Sequence, residues 1–120
     1  MSDARKKARN RADKYFSLYI RARDGRCVNC GTTEQLTCGH LFSSAHYSTR
    51  WDERNAFCQC TGCNLKHEHD PYPLIAYYLS LHSQEDLDRL HAKWSTATKL
   101  TTNDILEIGS VYLNKLKDFA

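Results

Sequence analysis

Six cysteines stand in a chain of 120 residues, and four of them form two knuckles, Cys27-Val28-Asn29-Cys30-Gly31 and Cys60-Thr61-Gly62-Cys63, with 29 residues between the inner pair. Four thiolates at this spacing can close a tetrahedral Zn²⁺ shell, because a two-residue gap lets each knuckle wrap the ion. Such sites bind with an apparent free energy of about 10 to 16 kcal/mol, comparable with the whole stability of a small domain. Cys38 and Cys58 remain over. They read as packed thiols on paired strands, with a disulfide or an alternative ligand role as the competing options. Cysteine pairs this close suit a metal better than a disulfide in a reducing cytoplasm, where the chain is expected to be made and kept.

Between and just after the knuckles stand three further residues that could do chemistry: His40 in Cys38-Gly39-His40, then Asn55, then Asn64 directly after Cys63. Their order resembles the HNH, or ββα-metal, nuclease motif in its zinc-bound His-Asn-Asn form. The segments Ala12 to Gly25, Cys27 to Gly31, Gly39-His40, Arg50-Trp51-Asp52-Glu53-Arg54-Asn55 and Gln59 to Asn64 further resemble the phage NinG/Rap recombination endonucleases. That resemblance covers roughly Ala12 to Asn64 and is weaker beyond. It implies a metal-dependent enzyme of homologous recombination in a phage-infected or prophage-carrying host, cutting branched DNA such as Holliday junctions and displacement loops. DNA, recombination proteins and a second copy of the chain would be its partners.

Phosphodiester hydrolysis needs a nucleophilic water, a base to take its proton and positive charge at the leaving oxygen. His40 is the expected base, since imidazole titrates near neutral pH. Asn55 is expected to hold the loop and orient the His40 ring, and Asn64 to offer its amide oxygen to Mg²⁺ or Mn²⁺. Most HNH sites place Asp or His immediately before the base as a metal ligand; here that residue is Gly39. The shortfall is assigned to the helix after Cys60, where Asn64, His67 and Glu68 fall at i, i+3 and i+4 on one face. His67 is the first choice and Glu68 the second. Placing a carboxylate at position 39 is expected to restore a hard oxygen ligand. His46 and His69 read as exposed loop histidines.

These residues need a frame. Glu34 to Phe42 and Asn55 to Gln59 read as two short strands joined by a long loop, followed by a helix from Thr61 to Glu68 that the Asp70-Pro71-Tyr72-Pro73 turn ends. Further helices are expected over Leu74 to His82, over Gln84 to Thr96 behind a Ser83/Asp86 capping box, and over Asn103 to Lys117 behind Thr101 or Thr102. Leu87, Leu90, Trp94, Ile105, Ile108, Tyr112, Leu113 and Leu116 are spaced for burial. The N-terminal stretch reads as one long helix between Ser2 and Asp24-Gly25, with Ala4, Ala8, Ala12, Tyr15, Tyr19 and Ala22 on one face. The expected fold class is α+β in a single domain over 1–120: a basic helix over 1–25, a zinc-braced ββα-metal core over 26–69 and a helical cap over 70–120.

Charge is unevenly spread. Residues 1 to 26 carry nine Lys and Arg against three Asp, although the whole chain has a net charge of only +3. At about 1.5 Å per residue the helix would run roughly 33 Å, enough to follow about ten base pairs. Arg5, Lys6, Lys7, Arg9, Arg11, Lys14, Arg21 and Arg23 are therefore the expected phosphate contacts; the alternative is a solvated, self-repelling arm docked only at its C-terminal end. Arg50 and Arg54 are added beside Trp51, with a structural salt bridge as their alternative. No apolar run exceeds six residues, where a bilayer span needs about 20. Tyr77 and Tyr78 offer a conceivable dimer face. A zinc-dependent DNA-binding module without catalysis, and a purely structural zinc protein, are the rival functions; neither gives His40, Asn55 and Asn64 a task.

Overall fold

The computed structural model describes residues 1–119. The first helix, α1, spans Asp3–Asp24. The Ser2 hydroxyl accepts from the Arg5 N–H at its start, and Gly25, at φ 75°, closes its end in the left-handed conformation that glycine adopts without strain. Two strands follow, β1 (Leu36–His40) and β2 (Ala56–Cys60), paired antiparallel with Cys38 opposite Cys58 and His40 opposite Ala56. A single 3₁₀ turn over Glu53–Asn55 leads into β2. Then come α2 (Thr61–His67), α3 (Tyr72–Leu81), α4 (Gln84–Ser95) and α5 (Thr102–Leu116). Both α4 and α5 start with a capping box, Ser83 with Asp86 and Thr101 with Asp104. The chain is therefore α+β, as expected from its sequence.

Strand alternation explains the layering, since successive side chains point to opposite faces. The face holding Ala56 packs on α1 and α5 with Ala8, Ala12, Phe16, Ile20, Trp51, Ile105 and Tyr112. The face holding Phe57 packs on α3 and α4 with Leu41, Leu74, Tyr78 and Leu90. The hairpin is thus covered on both sides, and β2 is buried from Ala56 to Gln59.

Four expectations change. The buried face of α1 is Ala8, Ala12, Phe16 and Ile20, while Ala4 and Ala22 are exposed; the large Phe16 and Ile20 side chains gain more from burial than alanines do, and they set the rotation of the helix. Secondly, α1 is not a solvated arm. It lies along α5, where the buried Gly109 brings the backbones together: a Cβ there would sit 3.5 Å from the Ala12 backbone. Finally, Tyr78 is fully buried and stacks on His82, so the Tyr77/Tyr78 pair does not form an exposed dimer face. Leu113, expected in the core, is exposed. Among the described residues no helix is long and apolar enough to cross a membrane.

Candidate metal centre and the cavities around His40

The two knuckles meet as their spacing requires. The Sγ atoms of Cys27, Cys30, Cys60 and Cys63 all lie within 4.8 Å of one another, and Cys30 and Cys60 are 3.7 Å apart. A disulfide would need about 2.05 Å, whereas thiolates about 2.3 Å from a shared ion suit this spacing. Gly31, at φ 81°, turns the first knuckle and donates its N–H to the Cys27 carbonyl. The second knuckle straddles the start of α2, where Cys60 Sγ accepts from the Cys63 N–H. Burial opposes ionisation of Cys27, yet backbone N–H groups of Cys60, Cys30 and Asn29 hold its thiol down to about 6. Burial and the neighbouring thiols push Cys63 up to about 12. Four thiols so close cannot all ionise without a cation, and the donor set fits a tetrahedral metal such as zinc. Cys38 and Cys58 stay outside the cluster, their thiols pushed up by burial to about 12 and about 11.

His40 ends β1, and its Nε2–H donates to the Arg50 carbonyl at 2.8 Å. A carbonyl only accepts, so this bond fixes the tautomer and leaves Nδ1 with its lone pair. Burial lowers the imidazole pKa below its ordinary value; the Arg50 carbonyl draws it back, the Arg50 charge lowers it further, and Asp13 opposes that charge. Two cavities flank the ring. One, about 460 Å³, is walled by Asp13, Ser17, Arg21 and Arg50; the other, about 440 Å³, by Ser43, Asn64, His67 and Glu68. His40, Asn64, His67 and Glu68 all line the second cavity.

Asn55 does not reach His40. It is fully buried, with Oδ1 accepting from the Phe42 N–H and Nδ2 donating to the carbonyls of Phe42 and Thr49. It staples both ends of the loop, and a carbonyl in that loop orients the ring. Asn64 Nδ2 donates to Thr37 Oγ1 at 3.3 Å. His67 Nε2–H donates to the Leu41 carbonyl at 3.0 Å, and its Nδ1 is buried without a partner. Metal-binding histidines are commonly oriented by such a carbonyl on the far nitrogen. His69 is exposed, and His46 stacks on Trp94 at 3.9 Å.

Much of the expected DNA-binding set is engaged within the fold. Arg23 donates to Asp24 and to the carbonyls of Glu53 and Ala56. Arg50 grips Asp13 through two N–H···O bonds, and Arg54 does the same with Asp52, so the salt-bridge alternative is what occurs. Arg5 donates to the Leu100 carbonyl, and Arg11 to the Leu106 carbonyl and Ser110. Arg9 buries its Nε. Lys6, Lys7 and Lys14 are exposed, and Arg21 lines the first cavity. A carboxylate at position 39 would have to displace the buried Gln59 amide: a Cβ on Gly39 would fall 1.9 Å from Gln59 Oε1. Sequence reasoning missed Asp13, Thr37 and Gln59. For Gln59 the signal was a lone polar residue in the strand Ala56-Phe57-Cys58-Gln59-Cys60.

Fold and site together define a class: an α+β chain whose hairpin carries a cluster of four cysteines that could hold a metal and presents an oriented histidine between two polar cavities. Comparison with known sequences narrows it. The family described as Bacteriophage Lambda NinG protein matches residues 2–120, and the chain belongs to that family. Protein ninG of Escherichia phage 933W is 31% identical over 115 residues, covering 89% of this chain and 55% of that protein. Protein ninG of Escherichia phage lambda is 31% identical over 115 residues, 54% of its length, and that of Salmonella phage P22 is 30% identical over 118 residues, 55% of its length. The chain thus spans about half the length of these relatives. No solved structure matches significantly.

Proposed function

We propose that the chain is a zinc-braced, metal-dependent endonuclease of the HNH type that acts on branched DNA during phage recombination, in the cytoplasm of the host. The observation that carries this reading is the setting of His40. Its Nε2–H is held by the Arg50 carbonyl and its pKa is lowered by burial, which keeps the imidazole neutral and able to accept a proton at pH 7. A DNA-binding module would have no use for a histidine prepared in this way.

Zinc at the four cysteines would hold the hairpin to α2 and so keep His40 and Asn64 on one cavity. Asn64, His67 and Glu68 are the residues that would hold Mg²⁺ or Mn²⁺. The unpartnered Nδ1 of His67 and the mixed donor set of the second cavity fit a divalent ion. When bound, the ion supplies positive charge beside the phosphate and its leaving oxygen. His40 Nδ1 takes the proton of the attacking water, while Asn55 keeps the loop, and with it the Arg50 carbonyl, in place. On α1, Lys7, Asn10, Lys14, Ser17 and Arg21 recur at helical spacing, and Ser17 and Arg21 reach the cavity beside His40. This stripe runs about 21 Å, the length of roughly six base pairs, and would guide a phosphate backbone to the base.

The deciding experiment incubates the zinc-loaded chain with labelled linear and four-way-junction DNA in Mg²⁺, Mn²⁺ or EDTA. Junction cleavage that EDTA abolishes and that His40→Ala lowers by about 10² to 10⁴ supports the reading. Binding without cleavage in either metal sinks it.

A further inference from the structure

Gln59 is 1% exposed, and its Oε1 is buried without any hydrogen-bond partner. The direction of that amide is fixed by a chain of donors. The Pro73 carbonyl can only accept, so Asn29 must turn its Nδ2 towards it, at 3.1 Å. Asn29 Oδ1 is then left to accept from Gln59 Nε2, at 2.9 Å. The Gln59 oxygen is therefore the atom turned inward, and flipping the amide would set acceptor against acceptor at Asn29 or, if Asn29 flipped with it, leave the Pro73 carbonyl unpaired.

It is turned towards Gly39. Gln59 pairs with Thr37, and Gly39 with Phe57, so Gln59 and Gly39 share a face of the hairpin. A Cβ at Gly39 would lie 1.9 Å from Gln59 Oε1, 2.8 Å from its Cδ and 3.2 Å from Asn64 Oδ1. Gly39 is not among the glycines with positive φ, so it is needed for space and not for backbone conformation. Two amide oxygens, one from β2 and one from α2, thus bracket the spot that a side chain before the base would fill. A buried carbonyl stripped of water and given no donor is costly unless something electropositive completes it.

We propose that Gln59 Oε1 is a ligand of the divalent cation, supplying with Asn64 Oδ1 the hard oxygen that Gly39 cannot. This rests on the nuclease reading above. Mg²⁺ and Mn²⁺ take neutral oxygen donors of this kind. A side chain from the partner strand thereby does the work of the residue that usually precedes the histidine, and Gly39 is the residue that lets it in.

The test measures Mn²⁺ affinity by electron paramagnetic resonance on the zinc-loaded chain, with no DNA present and with zinc content and circular dichroism as controls of folding. Gln59→Ala and the nearly isosteric Gln59→Met should each weaken Mn²⁺ binding by about ten-fold or more, the scale on which supporting groups of metal sites act. Gly39→Asp combined with Gln59→Ala moves a carboxylate into the vacated space and should restore affinity to the wild-type level or beyond. In the unmutated chain, substoichiometric Mn²⁺ should broaden the side-chain amide resonances of Gln59 along with those of Asn64, a readout that needs no variant to fold. Wild-type affinity in both single variants, or Asn64 broadening while Gln59 stays sharp, overturns the Gln59 assignment and leaves the nuclease reading standing. A wild-type chain that binds no Mn²⁺ overturns both.

Discussion

Asp13 on α1 and Arg50 in the long loop are joined by two parallel hydrogen bonds, Nε to Oδ1 at 2.9 Å and Nη2 to Oδ2 at 2.7 Å. Asp13 Oδ1 also accepts from Trp51 Nε1 at 2.9 Å. One carboxylate therefore pins two successive loop residues, and the carbonyl of the first holds His40. Asp13→Asn should lower the cleavage rate by about 10- to 100-fold, the usual effect of losing a group that orients a site residue. Zinc content and DNA affinity should change little, and the His40 ring signals in an NMR spectrum should move. A variant with wild-type rate would show that the loop holds its carbonyl without α1.

The cysteines divide into two groups with different expected losses. Cys27→Ser or Cys63→Ser should release the metal and unfold the core, since binding at such a centre is also folding energy. Cys38→Ser and Cys58→Ser should keep the metal and cost about 1 to 3 kcal/mol, the penalty of a poorly paired hydroxyl in a buried place. Metal analysis and urea unfolding of the four variants check this; equal collapse in all four would mean that the ligand set is wrong.

The lowered pKa of His40 fixes the sign of a pH dependence. Its folded value lies below the unfolded value of about 6.5 because burial disfavours the charged ring. The stabilisation from keeping it neutral is complete above that unfolded value and is lost as the pH falls through the folded one, by up to about 1.4 kcal/mol per pH unit. The acid limb of kcat/KM should accordingly fall below pH 6.5, and His40→Gln should flatten the loss of urea stability on acidification. An acid limb at or above pH 7 would contradict the burial of the ring.

Basic residues on α1 separate into contacts within the fold and contacts to solvent. Lys7→Ala with Lys14→Ala should leave stability unchanged and reduce the slope of log K against log salt by about 1.8 if each meets one phosphate. Arg5→Ala with Arg11→Ala should instead lower stability by about 1 to 3 kcal/mol, because three hydrogen bonds to α5 and its approach are lost. Filter binding at several salt concentrations and thermal unfolding separate the two pairs. The reverse pattern would put the DNA on the α5 side of the helix.

What the sequence revealed was carried by local codes. The capping pairs Ser83/Asp86 and Thr101/Asp104, the Gly25 stop and the knuckle spacing each act within a few residues, so they are readable without knowing the fold. The pairing of His40 with Asn64 was readable only through a family resemblance, and His67 was added by its i, i+3 spacing from Asn64 on one helix face. Other features were hidden because they depend on partners far away in the chain. Whether Arg50 meets a phosphate or Asp13, 37 residues earlier, depends on how α1 lies across the loop. The burial of Tyr78 depends on α4, and the reach of Asn55 depends on loop geometry that its neighbours in sequence do not encode. Gln59 was visible as an anomaly, but its meaning needed the amide orientation that Asn29 and Pro73 impose.

The docking of the first long helix on the last gives the chain an order of assembly at the ribosome. The apolar face of Ala8, Ala12, Phe16 and Ile20 finds its cover in Ile105 and Tyr112, which are translated on the order of ten seconds later at ordinary elongation speeds. Both cysteine knuckles emerge well before that cover does. Metal capture can therefore close the hairpin while α1 still exposes its greasy side. A nascent chain at that stage would carry a hairpin able to take up metal behind a still uncovered amphipathic helix, until α5 emerges to cover it.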